Sequence, residues 1–126
     1  MATIVKLLCI ASIFIWQTSN TTTDTLTNTK WYGTFNVPGP MSGTLEFKKD
    51  TVLLSIEGEV VESMTFKEKG DTLFFQKIYG QSPCSEEIGE YKFQLKENVL
   101  VLSPMKDACD IRSNAFSKEG YKKEQL

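Results

Sequence analysis

The sequence predicts an all-β domain: an antiparallel up-and-down barrel of about seven or eight strands, tied by one disulfide. Three observations carry this. Apolar residues recur with period two instead of 3.6, turn signals separate every apolar run from the next, and two of the three cysteines lie in the part that folds.

Residues 1–19 have the layout of a signal peptide. Lys6 precedes Leu7–Trp16, a run of ten residues that is apolar apart from Ser12. That is short against the roughly 20 residues of a membrane span and normal for a signal h-region. A small-x-small cleavage pattern is missing around Gln17–Asn20, so an uncleaved anchor is the alternative. Residues 20–29 are rich in threonine and asparagine, and Leu26 is their single large apolar side chain. Such a stretch buries too little to offset its ordering entropy and reads as a linker. Asn20-Thr21-Thr22 spells a glycosylation sequon, a spelling that chance also produces in a threonine-rich tract.

The barrel domain is expected over 30–117. Leu45 and Phe47 alternate with Thr44, Glu46 and Lys48; Met64 and Phe66 with Ser63, Thr65 and Lys67; Tyr91, Phe93 and Leu95 with Glu90, Lys92, Gln94 and Lys96. Val52–Ile56, Leu73–Phe75 and Val99–Leu102 are too short for helices and rich in strand formers. Between these runs stand Pro38-Gly39-Pro40, Lys49-Asp50, Glu57-Gly58, Lys69-Gly70-Asp71, Tyr79–Pro83 and Glu97-Asn98. Asp110–Ser117 offers one helical turn, and the charged segment 118–126 reads as a frayed tail. A meander of this kind manages its edges most easily by closing into a barrel, with a sandwich as the alternative.

Lys30-Trp31-Tyr32-Gly33-Thr34-Phe35 resembles the first strand of lipocalin-type barrels. Pro83-Cys84, Gly89-Glu90-Tyr91, and Asp107-Ala108-Cys109-Asp110-Ile111-Arg112 resemble a pattern of small secreted bacterial lipocalin-like (calycin-type) proteins. The resemblance implies that Trp31 plugs the closed end, that Arg112 packs over it, and that a small molecule is held inside.

Composition narrows the chemistry. Histidine is absent, which removes the commonest general base and transition-metal ligand. Lys6 is the only charge before Asp24, so 13 basic residues of the total 14 face 16 acidic ones in the folded part. No nucleic-acid footprint or basic membrane patch follows from that balance, and membrane contact is expected only through an uncleaved N-terminal segment. With Cys9 in the leader, Cys84 and Cys109 form an even pair. They lack a Cys-x-x-Cys partner, so a disulfide in an oxidising compartment (secreted, periplasmic or cell-envelope) is expected over a metal or redox site. Glu86, Glu87, Asp107 and Asp110 cluster around that pair without the spacing of a Ca²⁺ loop, and read as a solvated acidic loop with Asp107 or Asp110 pairing Arg112.

Strict alternation places Glu62 on the face of Met64 and Phe66, where a carboxylate must be paired, protonated or ligand-bound. The expected ligand-binding set is Glu62, Met64, Phe66, Phe75, Tyr91 and Phe93, with no catalytic residue, metal or cofactor. The expected function is an exported domain binding a small apolar or amphipathic molecule in the barrel. The alternatives are a metal-free isomerase or cyclase using Glu62 or a Tyr, and a surface protein- or glycan-binding module presenting Phe74 and Tyr79.

Overall fold

Alternating side chains and tight reversals dictate the architecture of this chain. The structure is a computed structural model describing residues 25–125. The signal peptide expected at 1–19, the sequon at Asn20 and the first part of the linker lie outside the described residues. The strands are β1 (Thr29–Asn36), β2 (Pro40–Phe47), β3 (Thr51–Ile56), β4 (Glu59–Lys69), β5 (Thr72–Gly80), β6 (Gly89–Lys96), β7 (Val99–Lys106) and β8 (Tyr121–Glu124), with helix α1 (Asp110–Ala115) between the last two. They pair antiparallel in chain order and close into a barrel through β8 against β1.

Two reversals set register most tightly. Ile56 pairs with Glu59 around Glu57-Gly58, and Lys96 with Val99 around Glu97-Asn98. All four turn residues have positive φ, between 51° and 82°. That is the geometry of two-residue hairpins whose twist matches the strands they join.

The inward residues then follow from alternation. Leu45, Phe47, Val52, Leu73, Phe75, Tyr91 and Leu100 are all 0 % exposed. Leu95, expected inward, is instead exposed at the end of β6. The aromatic rings fill the centre edge to face: Phe47 meets Phe66 at 5.0 Å, and Tyr91 meets Phe116 at 5.2 Å. Offset and T-shaped pairs of this kind add about 0.5–1.5 kcal/mol each beyond the area they bury.

The ordered domain is longer than the expected 30–117 at both ends. At its start, Leu26 is 0 % exposed and Thr29 already belongs to β1. At its end, the segment expected to fray contains Tyr121–Glu124, the strand that closes the barrel. Tyr121 is the reason. It is fully buried, stacks on Phe35 at 4.7 Å, and its hydroxyl donates to the Thr34 carbonyl at 3.1 Å and accepts from the Ser117 N–H at 2.8 Å. Gly33 makes the room, since a Cβ there would stand 2.6 Å from Cδ1 of Tyr121.

The closed end is built from the start of β1 and the turns after β2, β4 and β6. Trp31 is 2 % exposed there and donates its indole N–H to Oγ1 of Thr29 at 2.8 Å. The Leu26 N–H donates to Oε2 of Glu68 at 3.3 Å, holding the 25–28 turn across this end. The opposite end carries α1 and the long β5–β6 loop, and there the barrel opens.

Candidate functional site

Three β-bulges sit toward the α1 end: the registers shift between Leu54 and Ser55, between Ser63 and Met64, and between Glu90 and Tyr91. Bulges bend strands and re-aim side chains. Here they splay the barrel into a mouth occupied by a pocket of about 660 Å³. Its floor is Leu54, Ile56, Met64 and Phe116, and Val37, Pro38 and Met41 of the β1–β2 hairpin form one wall. The roof comes from Ile111, Arg112 and Ala115 of α1 and from Gln81–Cys84 of the β5–β6 loop. Glu57 and Glu59 stand exposed at the rim.

Glu62 lies in the pocket wall with 7 % exposure, and its charge is fully engaged. Lys77 Nζ stands 3.5 Å from Oε1; the Ser82 hydroxyl donates to the same oxygen at 2.8 Å, and the Ser82 N–H donates to Oε2 at 3.0 Å. Lys77 faces inward because it follows Leu73 and Phe75 at period two, just before the bulge. Its ammonium also donates to the carbonyls of Gly80, at 3.0 Å, and Ser82. Gly80 itself has φ +147°, and a Cβ there would be 2.6 Å from the Val61 carbonyl oxygen. Glu62, Lys77 and Gly80 thus form a latch that draws the β5–β6 loop across the barrel opening.

A second buried ion pair supports the roof. Arg112 Nε donates to Asp107 Oδ2 at 2.6 Å and Nη2 to Oδ1 at 2.8 Å, with side-chain exposures of 4 % and 0 %. The Tyr91 hydroxyl also donates to Oδ2, the Cys109 N–H donates to Oδ1 at 2.9 Å, and Arg112 Nη2 reaches the Glu87 carbonyl at 2.8 Å. Burial alone pushes the Asp107 carboxyl up, but the bonds from Arg112, Tyr91 and Cys109 outweigh it and hold the group below the usual carboxylate range. Burial and then the Asp107 carboxylate push the Tyr91 phenol well above its ordinary value. The Cys84–Cys109 disulfide, with Cα atoms 5.5 Å apart, joins the β5–β6 loop to the start of α1. Arg112 Nη1 is buried with no protein acceptor.

The sequence-predicted residues separate into two groups. Glu62 and Met64 line the pocket. Phe66, Phe75, Tyr91 and Phe93 do not, being buried in the filled centre of the barrel where aromatic packing leaves no space. Arg112 does not pack over Trp31. The Phe35–Phe116 bridge and the Asn36 amide donating to the Asn114 carbonyl at 3.3 Å fix α1 at the far end of β1. Trp31 lies five residues earlier, a rise of about 16 Å in a strand. Arg112 takes Asp107 because a buried guanidinium needs a carboxylate in bidentate geometry more than it needs an indole face.

Sequence reasoning missed Lys77, Phe116 and the β1–β2 wall. Lys77 was legible in principle as the continuation of the Leu73–Phe75 alternation, and Phe116 as an aromatic in an otherwise polar segment. Among the described residues, Cys84, Glu87 and Cys109 lie close enough to suggest a metal cluster, but both sulfurs are consumed by the disulfide. No helix among the described residues is long and apolar enough to cross a membrane. The chain matches no family model, no curated protein and no solved structure.

Proposed function

We propose that this is an exported, lipocalin-like domain that carries a small apolar or amphipathic molecule in the pocket at the barrel mouth. One observation carries the reading: the barrel centre is filled, yet about 660 Å³ stays open under α1 against a largely apolar floor. Pockets of roughly 300–1,000 Å³ with apolar walls and a few fixed polar groups are the usual form of small-molecule sites. Export is supported by the Cys84–Cys109 disulfide, which persists in oxidising compartments, and by the signal-like order of residues 1–19.

The carrier reading is favoured over proton-transfer chemistry by the state of the two best acid–base candidates. Glu62 is held by Lys77 and Ser82, and the Tyr91 hydroxyl is committed to Asp107. The outer-surface alternative has its own support, since Ile78, Tyr79, Ile88 and Met105 are each at least 50 % exposed. Phe74, by contrast, is half-buried and offers less.

Native mass spectrometry of the protein purified from its own cells is expected to show a retained molecule. Met64→Trp and Leu54→Trp add volume to the floor and should abolish retention while the far-ultraviolet circular dichroism stays that of wild type. Retention undiminished in both folded variants would place the ligand elsewhere.

A further inference from the structure

The charges around the pocket are not balanced, and the imbalance selects among ligands. Four charged residues line it: Glu57, Glu59, Glu62 and Arg112. Two are neutralised at close range, Glu62 by Lys77 and Arg112 by Asp107. Among the described residues, Glu57 and Glu59 enter no ion pair, and no lysine lines the pocket. They flank Gly58 at the tip of the β3–β4 hairpin, directly above Ile56 and Leu54 on the same hairpin. A molecule lying along that apolar floor therefore leaves the pocket beside two unpaired carboxylates.

We propose that the mouth selects a cationic amphiphile, its apolar body against Leu54, Ile56 and Met64 and its ammonium group at the rim beside Glu57 and Glu59. The proposal rests on the carrier reading above and adds the sign of the headgroup. An anionic amphiphile would meet the same rim with the opposite sign; Asp107 already neutralises the Arg112 guanidinium in bidentate geometry, and the one guanidinium nitrogen without a protein acceptor, Nη1, is buried away from solvent. Each rim carboxylate is exposed and screened, so each contributes a factor of a few at low salt and less in physiological salt.

The test compares three probes that share one tail: decylammonium, decanol and decanoate, each below its micelle concentration, titrated calorimetrically in about 20 mM salt. Decylammonium should bind about tenfold more tightly than decanoate, with decanol between them, and the span should shrink as salt is raised. In Glu57→Gln/Glu59→Gln, with its melting temperature checked against wild type, decanol affinity should be unchanged and the preference for decylammonium over decanol should fall to within about twofold. Equal binding of all three probes, tightest binding of decanoate, or an undiminished preference in the double variant would overturn the headgroup assignment while leaving the pocket as a carrier site. Binding of none of the three would overturn both.

Discussion

Replacing Asp107 by alanine should be among the most damaging single changes in the domain. The Asp107 carboxylate accepts from Arg112 Nε and Nη2, the Tyr91 hydroxyl and the Cys109 N–H, and its side chain is 0 % exposed. Its removal leaves a guanidinium that is itself 4 % exposed without a counter-charge. Breaking a buried pair in this way costs about 3–5 kcal/mol. The stranded Tyr91 hydroxyl belongs to the same network, so its cost is contained within that figure instead of adding to it. With a urea m-value of roughly 2 kcal/mol/M, the unfolding midpoint should fall by about 2 M. A double change, Asp107→Leu with Arg112→Met, removes both charges and should recover much of the loss. The pH dependence follows from the same carboxylate. Its folded-state pKa lies below the ordinary 3.8, so its stabilisation is complete above that value and is lost as pH falls through the lower, folded-state value. Asp107→Asn should lack that part of the acid-unfolding transition. A destabilisation below about 1 kcal/mol for Asp107→Ala, the usual ceiling for an exposed pair, would refute the reasoning.

Three further outcomes are expected. Trp31→Ala should cost about 3–5 kcal/mol in urea unfolding by opening a cavity at the closed end, whereas Trp31→Phe, which keeps most of the volume, should cost much less. Thiol titration of the unfolded, unreduced domain spanning 25–126 should find no free thiol, and Cys84→Ser/Cys109→Ser should lower stability by about 2–4 kcal/mol. Glu62→Ala removes both acceptors of the Ser82 loop contact, and hydrogen exchange at Ser82 should accelerate by at least about tenfold while amides of β1 and β2 keep their protection.

How much of this was legible in the sequence varied with the physics involved. Phe47, Tyr91 and Leu100 announced themselves because period two puts every second residue inside a sheet, and Glu57-Gly58 and Glu97-Asn98 because few residues tolerate two successive positive φ values. β8 stayed hidden. A four-residue Tyr-Lys-Lys-Glu segment has one apolar member, and only its partners β1 and β7, with Gly33 cleared for the Tyr121 ring, make it a strand. The pocket was displaced from its expected place for a similar reason. Alternation identifies which side chains point inward, but whether facing rings meet or leave a gap depends on the bulges at Val61, Ile78 and Met105, and register shifts of one residue leave no mark in a hydropathy pattern. Glu62 could be flagged as an inward carboxylate, whereas its partner Lys77, two residues beyond Phe75 in the same alternation, was passed over.

Closure of the barrel by β8 also constrains how the chain reaches its fold. Lys30 pairs with Glu124, so the ladder that completes the barrel joins its first strand to its last. Until Tyr121 arrives, β1 and β7 are open edges with unpaired amides and carbonyls, ready to take up another chain. Contacts between segments so far apart in sequence form late, and barrels dominated by them fold in milliseconds to seconds instead of microseconds. The Tyr121 ring seated on Gly33 and Phe35 acts as a clasp for that final step. Substitutions there should register as faster unfolding and greater aggregation of a seven-stranded, unclosed sheet before they register in anything the mouth pocket does.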